Sequence, residues 1–117
     1  MSICDLSKAG LHDGQIKRIT AIYETDTSHY AYLISQGCGK GGVLNVEDYE
    51  PFPDNSVGSF YAAIEQHCAE RGNRYLCVVQ ADLDVELKVM QGNDGKFFVN
   101  LLKINKFNVH STPAAFK

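Results

Sequence analysis

From Asp82 to Val89 the chain alternates without a break. Leu83, Val85, Leu87 and Val89 take the odd positions, and Asp82, Asp84, Glu86 and Lys88 the even ones. A period of two belongs to an extended strand, whose successive side chains point to opposite sides. One side of that strand must be covered and the other wet. Asn93-Asp94-Gly95 follows, a strong hairpin sequence, and Lys96–Ile104 (Lys-Phe-Phe-Val-Asn-Leu-Leu-Lys-Ile) returns. The chain must therefore build an antiparallel sheet and find something to lay on its apolar face.

The rest of the sequence supplies both. Ile16, Ile19, Thr20, Ile22 and Tyr23 mark a first strand over Gln15–Glu24, and Thr25-Asp26-Thr27-Ser28 a turn. Tyr30, Tyr32 and Ile34 alternate with Ala31 and Leu33 in a second strand, and Val43–Val46 forms a short third. Tyr75–Gln80, nearly all apolar, reads as a separate central strand. The cover is a helix. Val57, Phe60, Tyr61, Ile64 and Cys68 fall on one face, with capping residues at Asp54, Asn55 or Ser56 and a stop at Gly72-Asn73. The expected architecture is one α+β domain over residues 1–117: a curved antiparallel sheet of about six strands, ordered β-β-β-α-β-β-β, with one helix packed on one face. Residues 1–14 read as irregular and 105–117 as a polar C-terminal tail.

The formal net charge is −3. Residues 41–70 carry Glu47, Asp48, Glu50, Asp54, Glu65 and Glu70 with no lysine or arginine, whereas residues 96–117 carry four lysines and no acid. Nucleic-acid binding, which needs a basic footprint, is not expected. The four cysteines, Cys4, Cys38, Cys68 and Cys77, form no C-x-x-C pair. Cys68 and Cys77 lie in apolar settings and read as buried hydrophobes. The start of the chain lacks the regions of a signal peptide, and no run is long and apolar enough to span a bilayer. The expectation is a cytoplasmic protein with free thiols and no membrane contact.

Three stretches invite chemistry. Gly37-Cys38-Gly39-Lys40-Gly41-Gly42 is glycine-rich, yet it lacks the hydroxyl residue and the following helix of a phosphate-binding loop. It reads as a turn between strands, with Cys38 beside Lys40 as a candidate activated thiol. Asp54, Glu86 and Lys88 form the second set. Pro53-Asp54 followed by Glu86-Leu87-Lys88 resembles the PD-(D/E)xK nuclease signature, which implies acids that hold magnesium and a lysine that positions water. The histidines show no metal-ligand spacing, and neither a cofactor nor a metal is expected. The third set combines Tyr30 and Tyr32 with the acidic loop Glu47-Asp48-Tyr49-Glu50, a mixture of aromatic and charged groups suited to contact with a partner.

The third set gives the leading expectation: a small, non-enzymatic protein that binds another protein, of the inhibitor or immunity type, through an acidic and aromatic surface facing a basic one. Self-association through an edge strand is a further expectation about partners. The alternative is a small enzyme, using either Cys38 or Asp54, Glu86 and Lys88 as catalytic residues.

Overall fold

The computed structural model describes residues 1–27, 29–35, 42–48, 50–70 and 77–111. Within them lie α1 (Ile3–Ala9), β1 (Ile16–Thr25), β2 (Ala31–Ile34), β3 (Val43–Val46), α2 (Asn55–Glu70), β4 (Val79–Gln91) and β5 (Phe97–Ser111). The strands close into a barrel in the order β1-β2-β3-β5-β4, with β4 returning to β1. All neighbours are antiparallel except β3 and β5, which run parallel.

This corrects the open, wholly antiparallel sheet of six strands. Residues read as two strands, either side of Ala81, belong to the single strand β4. The inward row Val79, Ala81, Leu83, Val85, Leu87 and Val89 is buried throughout, so the alternation starts at Val79, ahead of the acidic stretch that begins at Asp82. Residues 71–76, the front of the expected central strand, lie outside the described residues.

β4 and β5 are joined by the expected hairpin. Gly95 takes φ 81°, and Gly92 and Lys96 close the turn through a 2.8 Å hydrogen bond. β5 then outruns its expected end and continues to Ser111. Its pairing with β4 shifts register between Asp84 and Val85 and again between Glu86 and Leu87. Such bulges bend a strand and add twist, which lets a long hairpin wrap round to meet its neighbours.

The interior is apolar. Ile19, Tyr23, Leu33, Leu44, Val99, Leu101 and Ile104 join the β4 row, and α2 adds Val57, Phe60, Ile64 and Cys68 at spacings of three and four. α2 packs against β5. The N-terminal segment, expected to be irregular, folds as α1: Ser2 and Asp5 form a reciprocal capping box, and Ile3 and Leu6 are buried. α1 is tied down by bonds from Thr20 N–H to the Met1 carbonyl (2.9 Å) and from Ile3 N–H to Ser35 Oγ (3.1 Å).

Cys68 and Cys77 form a disulfide with a Cα–Cα distance of 5.8 Å, and Cys4 is disulfide-bonded as well. The expectation of free thiols is therefore overturned for these three. Cys68 and Cys77 are buried as expected, but they are bonded to each other. The bridge pins the C-terminal end of α2 to the chain two residues before β4. Closing so short a loop removes freedom from the unfolded chain worth about 2.5 kcal/mol. Among the described residues no helix is long and apolar enough to cross a membrane.

Candidate functional site

At the end of the barrel where β1 finishes, a cleft of about 420 Å³ opens between the β1–β2 turn, the end of β3 and one face of α2. Tyr23 and Thr25 come from β1, Thr27 and His29 from the turn, Tyr30 and Ala31 from the start of β2, Val46 and Glu47 from β3 and its exit, and Tyr61, Ile64 and Glu65 from α2.

The turn is held by its own polar groups. Asp26 accepts from the amides of His29 (2.6 Å) and Tyr30 (3.1 Å), and its second oxygen lies 2.7 Å from His29 Nδ1. Thr25 Oγ1 donates to the Tyr30 carbonyl (2.6 Å) and accepts from Thr27 N–H (3.0 Å). Thr27 sits at φ 68°, a left-handed conformation that β-branched residues avoid. Strain of this kind persists where the surroundings over-determine the backbone, and it clusters at ligand sites.

Tyr30, which lines the cleft, stacks on Tyr32, with centroids 4.5 Å apart and planes 16° from parallel. Both are half-buried, so part of each ring meets solvent. Tyr32 lies in register with Glu24 on one side and Asn45 on the other, and Glu24 with Gln80. A row of outward polar and aromatic groups thus crosses four strands. Glu24 organises it by accepting from Tyr30 Oη (3.1 Å) and Gln80 Nε2 (2.8 Å). Burial, with the Glu24 carboxylate next, pushes the Tyr30 hydroxyl up to about 12.

The acidic loop divides. Glu47 and Glu50 are exposed. Asp48 turns inward, where it accepts from the Tyr61 hydroxyl and, at 2.9 Å, from Leu101 N–H. Here β3 stops pairing with β5, and the freed edge amides of β5 need partners. Asp48 takes that of Leu101, and Ser56 Oγ takes that of Ile104 (2.9 Å). Burial raises the Asp48 carboxyl above its ordinary range despite these donors. Asp48 therefore closes a strand edge. Tyr49 and Cys38 lie outside the described residues.

The other acids have local partners. Asp54 heads α2, where the Ser56 hydroxyl and then the Ser56 N–H (2.9 Å) hold its carboxyl low. Glu86 and Lys88 share the outer face of β4, Glu86 opposite Arg18 and Lys103, Lys88 opposite Ile16 and Asn100. Among the described residues no three His, Cys, Asp or Glu side chains are grouped to hold a metal. A wider groove of about 960 Å³ runs over β1, β4 and β5. Asp84 on its wall is already engaged by Arg18 through two bonds of 2.9 and 2.8 Å.

The barrel closes in the order β1-β2-β3-β5-β4, with β3 parallel to β5 and a helix between β3 and β4. That architecture hosts many unrelated activities and does not by itself name one. No protein-family model, no curated protein and no solved structure matches the chain.

Proposed function

We propose that the chain is a non-catalytic recognition protein whose contact surface is the cleft together with the Tyr30–Tyr32 stack. The stack carries this reading: two half-exposed tyrosines lie parallel, and one of them, Tyr30, lines the cleft and is held by Glu24 and a hydrogen-bonded turn. Tyrosine combines a large apolar face with a polar tip and is enriched where proteins make contacts. Glu47, at the rim, and Glu50 keep the acidic character expected of an inhibitor-type binder for a basic partner. Self-pairing through an edge would fall to β1 ahead of Ile22, where β2 no longer pairs, although Met1 already occupies the Thr20 amide.

Affinity capture from the source material tests the reading. Wild-type bait is expected to retain a ligand that Tyr30→Ala/Tyr32→Ala bait, checked for a native circular dichroism spectrum, does not. Identical capture by both would sink the assignment.

We further propose that the protein works in an oxidising compartment. A buried disulfide supports this over the cytoplasm. Protein taken from its own cells and alkylated before reduction is expected to carry no label on Cys68 or Cys77. Labelled thiols at these positions would return it to the cytoplasm.

A further inference from the structure

We propose that a second copy of this chain covers the outer face of β1, β2 and β3, where Ile22, Ile34 and Val43 lie in one row across three neighbouring strands. The contact is made by the face of the sheet and not by the β1 edge. It does not depend on the recognition role proposed above.

The row breaks the pattern of the barrel's exterior. Tyr23, Leu33 and Leu44 are buried inside, so alternation along each strand turns Ile22, Ile34 and Val43 outward. Ile22 and Ile34 are half-buried and Val43 is 47 % exposed. On β4 the outward positions are Gln80, Asp82, Asp84, Glu86 and Lys88, as a wet face requires. Aliphatic side chains gathered side by side on such a face mark a surface that something covers.

Two features select a second copy. The first is charge. Each copy has a formal net charge of −3, so two of them meet most readily where neither presents an ion. β2 (Ala-Tyr-Leu-Ile) and β3 (Val-Leu-Asn-Val) hold no charged residue, whereas β4 and β5 carry Asp82, Asp84, Lys103 and Lys106. The second is self-complementarity, which a two-fold contact demands. β2 is the middle strand of the three. A two-fold axis running along it sets Ile34 against its own equivalent, and Ile22 against Val43 of the second copy. On the next row Glu24 and Asn45 are both in register with Tyr32, so the same axis sets one against the other. There a carboxylate meets an exposed amide donor, while the row beside it joins apolar to apolar. Sheets packed face to face keep their strands within about 30° of one another, which an axis near the strand direction provides. The row is only about 10 Å from end to end, so the contact is small and the dimer weak.

Sedimentation equilibrium from about 10 µM to about 1 mM tests the proposal. The wild type is expected to pass from monomer to dimer and to stop there, because a two-fold contact closes on itself. Val43→Asp alters an exposed side chain and sets an acid against Ile22 of the second copy; it should weaken the dimer about tenfold or more. Val43→Thr keeps the branched shape and should weaken it about threefold. Asn108→Asp adds the same charge on β5, opposite Asp82 and away from the row, and should leave the affinity within about twofold.

A wild type that stays monomeric at the highest concentration would overturn the proposal. So would a dimer that both Val43 variants leave intact. No tyrosine is changed in these variants, so either result leaves the capture test of the recognition surface standing.

Discussion

Phe60→Ala is expected to destabilise the protein by about 4 kcal/mol, read as the fall in unfolding free energy from urea titrations. Phe60 is fully buried and is the largest side chain in that state among the described residues. It carries α2 into the barrel core and meets three rings: Tyr23 edge-on at 4.9 Å and 83°, Phe107 at 5.3 Å and 69°, and Tyr61 at 5.5 Å. Alanine would remove the burial and leave a cavity that strands fixed by hydrogen bonds on both sides cannot collapse to fill. Phe60→Leu keeps most of the volume and should cost about 1.5 kcal/mol. A loss below about 1 kcal/mol for alanine would mean that α2 does not wedge the barrel.

Asp48→Ala is expected to cost about 3 kcal/mol, because it strands two partners at once. The Tyr61 hydroxyl and the Leu101 amide would both lose their acceptor in a part-buried setting. Asp48→Asn retains an oxygen for Leu101 and should cost less than about 1 kcal/mol at neutral pH. The pH dependence separates the charge from the hydrogen bonds. Burial raises the Asp48 carboxyl, so the folded state holds its proton more tightly than the unfolded state does. Its contribution is most favourable below its ordinary value of 3.8 and is lost as pH rises through the raised value. Asp84, held down by its hydrogen bonds to Arg18, has the opposite sense: its contribution exists above 3.8 and is lost as pH falls. The asparagine variant lacks the first trend and keeps the second. It should therefore gain on the wild type as pH is raised from about 4 to about 7 in parallel denaturant titrations. A constant difference between the two would show that Asp48 titrates as an ordinary surface carboxyl.

Local signals in the sequence predicted most elements, and long-range ones escaped it. The β4 alternation, the Asn93-Asp94-Gly95 turn and the 57–68 helical face each depend on residues within a few positions of one another, and each appears in the fold. Closure depends on Ile16–Thr25 meeting Val79–Lys88, for which no local pattern exists. α1 was legible in Ser2-x-x-Asp5, a capping signature hidden because so short a helix has little apolar periodicity. For the site, the strand period placed Tyr30 and Tyr32 on one face but could not say that they stack. Glu47 and Asp48 looked alike in sequence. The unpaired Leu101 amide, 53 positions away, turns one of them inward. Nothing in Thr27 announces a left-handed backbone, so its part in shaping the cleft had no sequence signal.

The way the barrel closes also bears on how it forms. β4 and β5 meet across a turn of a few residues, and β1, β2 and β3 meander in sequence. The seams that join these halves are remote: Thr25 meets Val79 and Val46 meets Val99, separations of 54 (79 − 25) and 53 (99 − 46) residues. Contacts between distant residues cost loop entropy before they return any energy, which slows the chain's search. The hairpin and the meander are thus expected to form first and their docking to be the slow step, an order that mutational folding kinetics would check. α2 lies on the stretch of chain between them, so its Phe60 and the Asp48 edge contact take hold only as that docking completes.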